Sequence, residues 1–77
     1  MATWEARRFD WCCALGAGLE ISVSYEGAER VPEGEPRYNV YVFGRRMTIR
    51  SADVETGKMR AESAAKKWLT EALAKLN

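Results

Sequence analysis

Seventy-seven residues, 47% apolar and 30% charged, read as one domain with only a modest core, a globular balance that excludes a disordered segment of this composition. The longest apolar runs, such as Trp11 to Leu15, fall far short of the ~20 residues of a membrane span, and the opening Met-Ala-Thr-Trp-Glu lacks the basic and apolar regions of a secretory signal. Net charge is +1, yet residues 1–36 sum to −4 and residues 37–77 to +5, an asymmetry that suits either a polar interaction surface or mutual neutralisation in the fold.

Phe9, Trp11, Cys13 and Leu15 are apolar at alternate positions and predict a first strand over about 4–15 with one buried face. Cys13 is expected to fill core and Cys12 to be incidental. Adjacent strand residues face opposite ways, so a bridge between the two is not expected, and unpaired thiols suit the cytoplasm. Gly16-Ala17-Gly18 closes a hairpin into a second strand over 19–25, where Leu19, Ile21, Val23 and Tyr25 alternate with Glu20, Ser22 and Ser24. Residues 26–36, with two prolines, two glycines and four glutamates, read as an acidic loop with nothing for a core. Tyr38, Val40 and Val42 predict the buried face of a third strand over 37–43, placing Tyr41 and Phe43 on the opposite face. Gly44 with Arg45 turns the chain, and Met47 and Ile49 continue the alternation as a fourth strand over 46–50.

From about 58 to 76 the period changes to that of a helix. Ala61, Ala65, Trp68, Ala72 and Leu76 recur at i+3 and i+4, with Ala64, Leu69 and Leu73 widening the stripe. Asp53 and Thr56 are both candidate N-caps, and Glu62–Lys66 and Glu71–Lys75 are i,i+4 pairs in the favoured order. The resulting α+β architecture is a four-stranded antiparallel meander, or a three-stranded one, packed against one C-terminal helix. Trp68 is the expected large central residue between them.

Catalytic chemistry finds little support. There is no histidine to serve as a base and no Cys-x-x-Cys, so neither a nucleophile–base pair nor a zinc site is expected, and no cofactor. The segment 53–58 lacks the spacing of a phosphate-binding loop. Two surfaces remain. Glu26, Glu29, Glu33 and Glu35 in the loop, with Asp10 and Glu20 on the first hairpin, form an acidic candidate site. Arg37, Arg45, Arg46 and Arg50, interleaved with Tyr41 and Phe43 and supplemented by Lys66 and Lys67, form a basic and aromatic one suited to phosphate contact and base stacking.

Two segments carry resemblances. Strands followed by Gly57-Lys58-Met59-Arg60-Ala61-Glu62-Ser63-Ala64-Ala65 resemble the second half of a double-stranded-RNA-binding domain. That family implies three lysines at the start of the helix; Lys58 matches the first, while Met59 and Glu62 stand at the other two. Ser63-Ala64-Ala65-Lys66-Lys67-Trp68-Leu69 after a basic hairpin is similar to the arm-type DNA-binding domain of phage integrases. In size and layout the chain also resembles small phage accessory proteins of the anti-CRISPR type. That resemblance implies a non-enzymatic inhibitor acting by contact on a host protein or ribonucleoprotein complex in the host cytoplasm. The alternative is a nucleic-acid-binding module using hairpin 37–50 and the helix lysines. Oligomeric state stays open.

Overall fold

The computed structural model describes residues 3–27 and 31–76. Five antiparallel strands follow one another in space as they do in sequence: β1 (Glu5–Ala6), β2 (Asp10–Gly16), β3 (Leu19–Tyr25), β4 (Tyr38–Val42) and β5 (Arg45–Arg46). One helix, α1 (Val54–Leu76), crosses a single face of this sheet. The α+β class and the sheet-plus-helix layout agree with the sequence pattern, and β3 matches its predicted bounds residue for residue.

The strand count differs because the predicted first strand folds back on itself. Arg7 N–H donates to Asp10 O at 2.7 Å, so Glu5 and Ala6 pair with Cys12 and Trp11. Arg8 and Phe9 form the tip of this small hairpin. Phe9 therefore leaves the buried face and is 69% exposed, with the Arg8 guanidinium 5.2 Å from its ring centroid. Trp4, just before β1, reaches the helix instead: its indole N–H donates to Glu62 Oε2 at 2.7 Å, and Lys58 Nζ lies 5.7 Å from its ring. Glu62 thus binds Trp4 on the side where Lys66 was the expected partner.

Register places Cys13, Ile21 and Val42 in one row and Trp11, Val23 and Val40 in the next, all facing the helix. Ile21, Val23, Val40 and Val42 are essentially fully buried, and Ala61 and Ala65 let the helix sit close over them. The opposite face carries Asp10, Cys12, Ser22, Ser24, Asn39 and Tyr41, as strand alternation requires. Cys12 is not incidental: it is buried on that face and its thiol donates to Asp10 Oδ2 at 3.3 Å. The acidic loop also contributes to the interior, since Val31 is buried. Leu15 and Tyr25, at strand ends, stay partly exposed.

The helix begins at Val54, four residues earlier than predicted, because Asp53 caps it: Asp53 Oδ1 accepts the Thr56 N–H at 2.7 Å. At 1.5 Å per residue a 23-residue helix spans ~34 Å, whereas a seven-residue strand spans only ~24 Å. The last two turns therefore overhang the sheet. Leu69, Leu73 and Leu76 are 43%, 60% and 84% exposed, so the predicted buried stripe ends near Trp68. Among the described residues no helix is long and apolar enough to cross a membrane.

Both outer strands are two residues long and carry charge, which blunts the sheet edges against pairing with another chain.

Candidate functional site

The β4–β5 turn is built by two residues with positive φ, Phe43 (53°) and Gly44 (82°), between the paired residues Val42 and Arg45. Two left-handed residues suit the right-handed twist of a hairpin, and only glycine adopts that conformation without cost. The turn is pinned by Phe43 N–H donating to Glu20 O at 3.0 Å. This conformation takes Phe43 off the face predicted for it. It packs toward the helix, with its ring centroid 6.1 Å from that of Trp68, while still bordering the hollow that Tyr41 lines.

Arg45 follows immediately, its guanidinium carbon 5.7 Å from the Trp68 ring centroid. Arg46 stands directly opposite Tyr41. From the helix, Arg60 donates from Nη1 to Ser51 Oγ at 2.6 Å, which orients the guanidinium beside the same edge. Arg45, Arg46 and Arg60 thus line one open groove of about 390 Å³, together with Met47, Ile49 and Trp68. Lys67, seven residues beyond Arg60, lies on the same side of the helix and is exposed. Lys66 points away from the groove by the same periodicity.

The predicted fourth strand over 46–50 shortens to Arg45–Arg46. Met47 N–H still donates to Val40 O at 2.8 Å, and Ser51 pairs with Tyr38 through two backbone hydrogen bonds. Between these points β4 advances by one residue, Asn39, while the other chain supplies Thr48, Ile49 and Arg50. The surplus is extruded, so Ile49 is 69% exposed rather than buried. Beyond this ridge lies a second open groove of about 370 Å³, lined by Val31, Pro32, Glu35, Pro36 and Arg50, with Thr48 and Ile49 as the shared wall.

The predicted basic set is therefore divided. Arg50 Nε donates to Asn39 Oδ1 at 3.1 Å, and Asn39 Nδ2 donates to Glu26 Oε2 at 2.6 Å, so Arg50 and Glu26 flank a buried amide. Arg37 is half-buried, and its Nη1 meets no acceptor among the described residues. Tyr41 lies on the open sheet face beside Ser22 and Glu20. The acidic set is also dispersed. Asp10 holds the Cys12 thiol, and Glu20 lies near the opposite end of the sheet. Glu33 and Glu35 sit exposed on a turn closed by Glu35 N–H to Pro32 O at 3.2 Å, with Gly34 at φ 87°. Glu29 lies outside the described residues.

Sequence reasoning missed Arg60 and Ile49 as groove residues, and assigned Trp68 wholly to the core. The pattern held a partial signal: Arg60 and Lys67 share the polar side of a helix that must cross a sheet ending in Arg45-Arg46.

The Cys12 thiol is pushed up to about 11, first by burial and then by the Asp10 carboxylate beside it. A thiol held protonated is a poor nucleophile.

Comparison with known proteins found no matching family model, no matching curated protein and no matching solved structure.

Proposed function

We propose that this chain is a small, non-enzymatic, cytoplasmic binding protein that engages nucleic acid through the groove between β5 and α1. The observation that carries this reading is the convergence of Arg45, Arg46 and Arg60, from a strand and a helix, on one open groove bordered by Trp68. Guanidinium groups match phosphate geometry and release condensed counterions on contact. The raised pKa of Cys12 and the lack of histidine add support for binding without catalysis.

The test is fluorescence anisotropy of a labelled oligonucleotide titrated with protein across a range of salt. Three phosphate contacts predict a slope of log affinity against log salt of roughly −2 to −3. Arg45→Ala with Arg46→Ala should flatten it by about one unit per lost contact. No binding at low salt would overturn the reading.

A second reading keeps the phage-accessory inhibitor, acting by protein contact on a host complex. It is favoured by the Pro32–Glu35 turn, which presents Glu33 and Glu35 to solvent on a backbone stiffened by two prolines. Pull-down from host lysate with and without nuclease separates the readings. A nuclease-resistant protein partner, lost on reversal of Glu33 and Glu35 to lysine, supports the second.

A further inference from the structure

We infer that the two grooves on either side of the Thr48–Ile49 ridge form a pair of subsites for a single-stranded nucleic acid, one for phosphate and one for an amine-bearing base. The inference rests on the nucleic-acid reading above and names the form of nucleic acid bound.

The first subsite is the arginine groove. Its three guanidinium groups supply donors and positive charge, the requirement for phosphate oxygens.

The second groove has a different chemistry. Val31, Pro32 and Pro36 give it apolar walls, and Glu35 and Arg50 line it as well. A carboxylate only accepts hydrogen bonds at neutral pH and offsets the charge of Arg50, whose Nε is already given to Asn39 Oδ1, so this groove lacks the net positive charge of the first and suits the backbone less. Flat apolar walls with an acceptor suit a base that offers amine hydrogens: cytosine, adenine or guanine. Uracil and thymine present two carbonyl oxygens and a single N–H, and face the carboxylate poorly.

Ile49 stands between the subsites. Ile49 is an extruded β-branched side chain, 69% exposed, and lies outside the buried core. Placed on a crest between two hollows of about 390 and 370 Å³, each near the lower end of small-ligand sites, it is suited to separate one nucleotide from the next. Bases splayed in this way, with their pairing edges turned to protein, belong to single strands; in a duplex those edges are already occupied.

The test is anisotropy with 12-nucleotide homopolymers of cytosine, adenine and uracil or thymine, as RNA and as DNA, against a mixed-sequence 12-base-pair duplex at one salt concentration. The cytosine and adenine strands should bind roughly tenfold more tightly than the uracil or thymine strand. They should also bind more tightly than the duplex, in both sugars. Glu35→Gln, whose amide both donates and accepts, should collapse the base preference. Ile49→Ser should reduce the advantage of single strand over duplex. Both residues are exposed, so each variant should melt at the wild-type temperature. Equal or tighter duplex binding, or a base preference untouched by Glu35→Gln, overturns the two-subsite inference while leaving the arginine groove intact. Binding of no oligonucleotide at low salt overturns both.

Discussion

Gly57 in the first half of the helix lies directly against Val23 at the centre of the sheet. A Cβ added at Gly57 would stand 3.0 Å from Val23 Cγ1 and 3.1 Å from Cγ2. This contact sets how closely the helix approaches, and so where Arg60, one turn further on, meets β5.

Gly57→Ala pits two effects against each other. Removing a glycine from a helix interior gains up to about 1 kcal/mol. Overpacking a filled core costs about 1–3 kcal/mol. Val23 is fully buried and stiff at χ1, so it cannot turn aside. The expected net is a loss of about 1 kcal/mol, read as a lower melting temperature. Adding Val23→Ala should remove the coupling between the two sites, measured by a double-mutant cycle.

Asp53 makes helix stability pH-dependent. Its carboxyl is held below the ordinary 3.8 by hydrogen bonds from Thr56, backbone first. A depressed folded pKa means that the stabilisation is complete above the unfolded value near 3.8 and disappears as pH falls through the lowered one. Thermal melts followed by circular dichroism from pH 6 to pH 2 should therefore show an Asp53-dependent loss at the acid end. Asp53→Asn keeps a cap but should lose that pH dependence, whereas Asp53→Ala should fray the first turn at every pH.

Trp68 and the terminal leucines should behave oppositely. Trp68 is half-buried, packed on Phe43 and beneath Arg45, so Trp68→Ala should cost about 2–3 kcal/mol, less than the 3–5 of a fully buried tryptophan. Leu73→Ala and Leu76→Ala, on the overhang, should fall within about 0.5 kcal/mol of wild type. Chemical denaturation of the three variants checks the contrast. A large loss at Leu73 would show that the overhang is packed in solution.

Cys12 should resist alkylation. Burial raises its pKa to about 11 from 9, with the Asp10 carboxylate adding to the effect. Native protein should react with iodoacetamide far more slowly than unfolded protein at pH 8. Asp10→Asn should speed the reaction only modestly, because burial is the larger cause. The sign of the linkage also follows: the fold favours the protonated thiol, so this group leaves stability unchanged below about pH 9 and reduces it as pH rises toward 11.

Amino-acid order alone determined the class of fold, because it is written in local periods. Alternation over Leu19–Tyr25 and over Tyr38–Val42, glycine at the β2–β3 turn, and the 3.6-residue spacing of Ala61 and Ala65 each depend only on near neighbours in the chain. The fold-back at Arg7–Asp10, the extrusion of Ile49 and the side taken by Phe43 depend on events that alternation does not encode: a chain leaving its ladder, or one φ changing sign. The candidate site depended on tertiary structure most of all. Arg45 and Arg46 share a groove with Arg60 only because the helix crosses the sheet at a separation set by Gly57 on Val23. The same packing uses Trp68 partly as core and partly as groove wall, and leaves Leu69, Leu73 and Leu76 beyond the sheet with no strand beneath them.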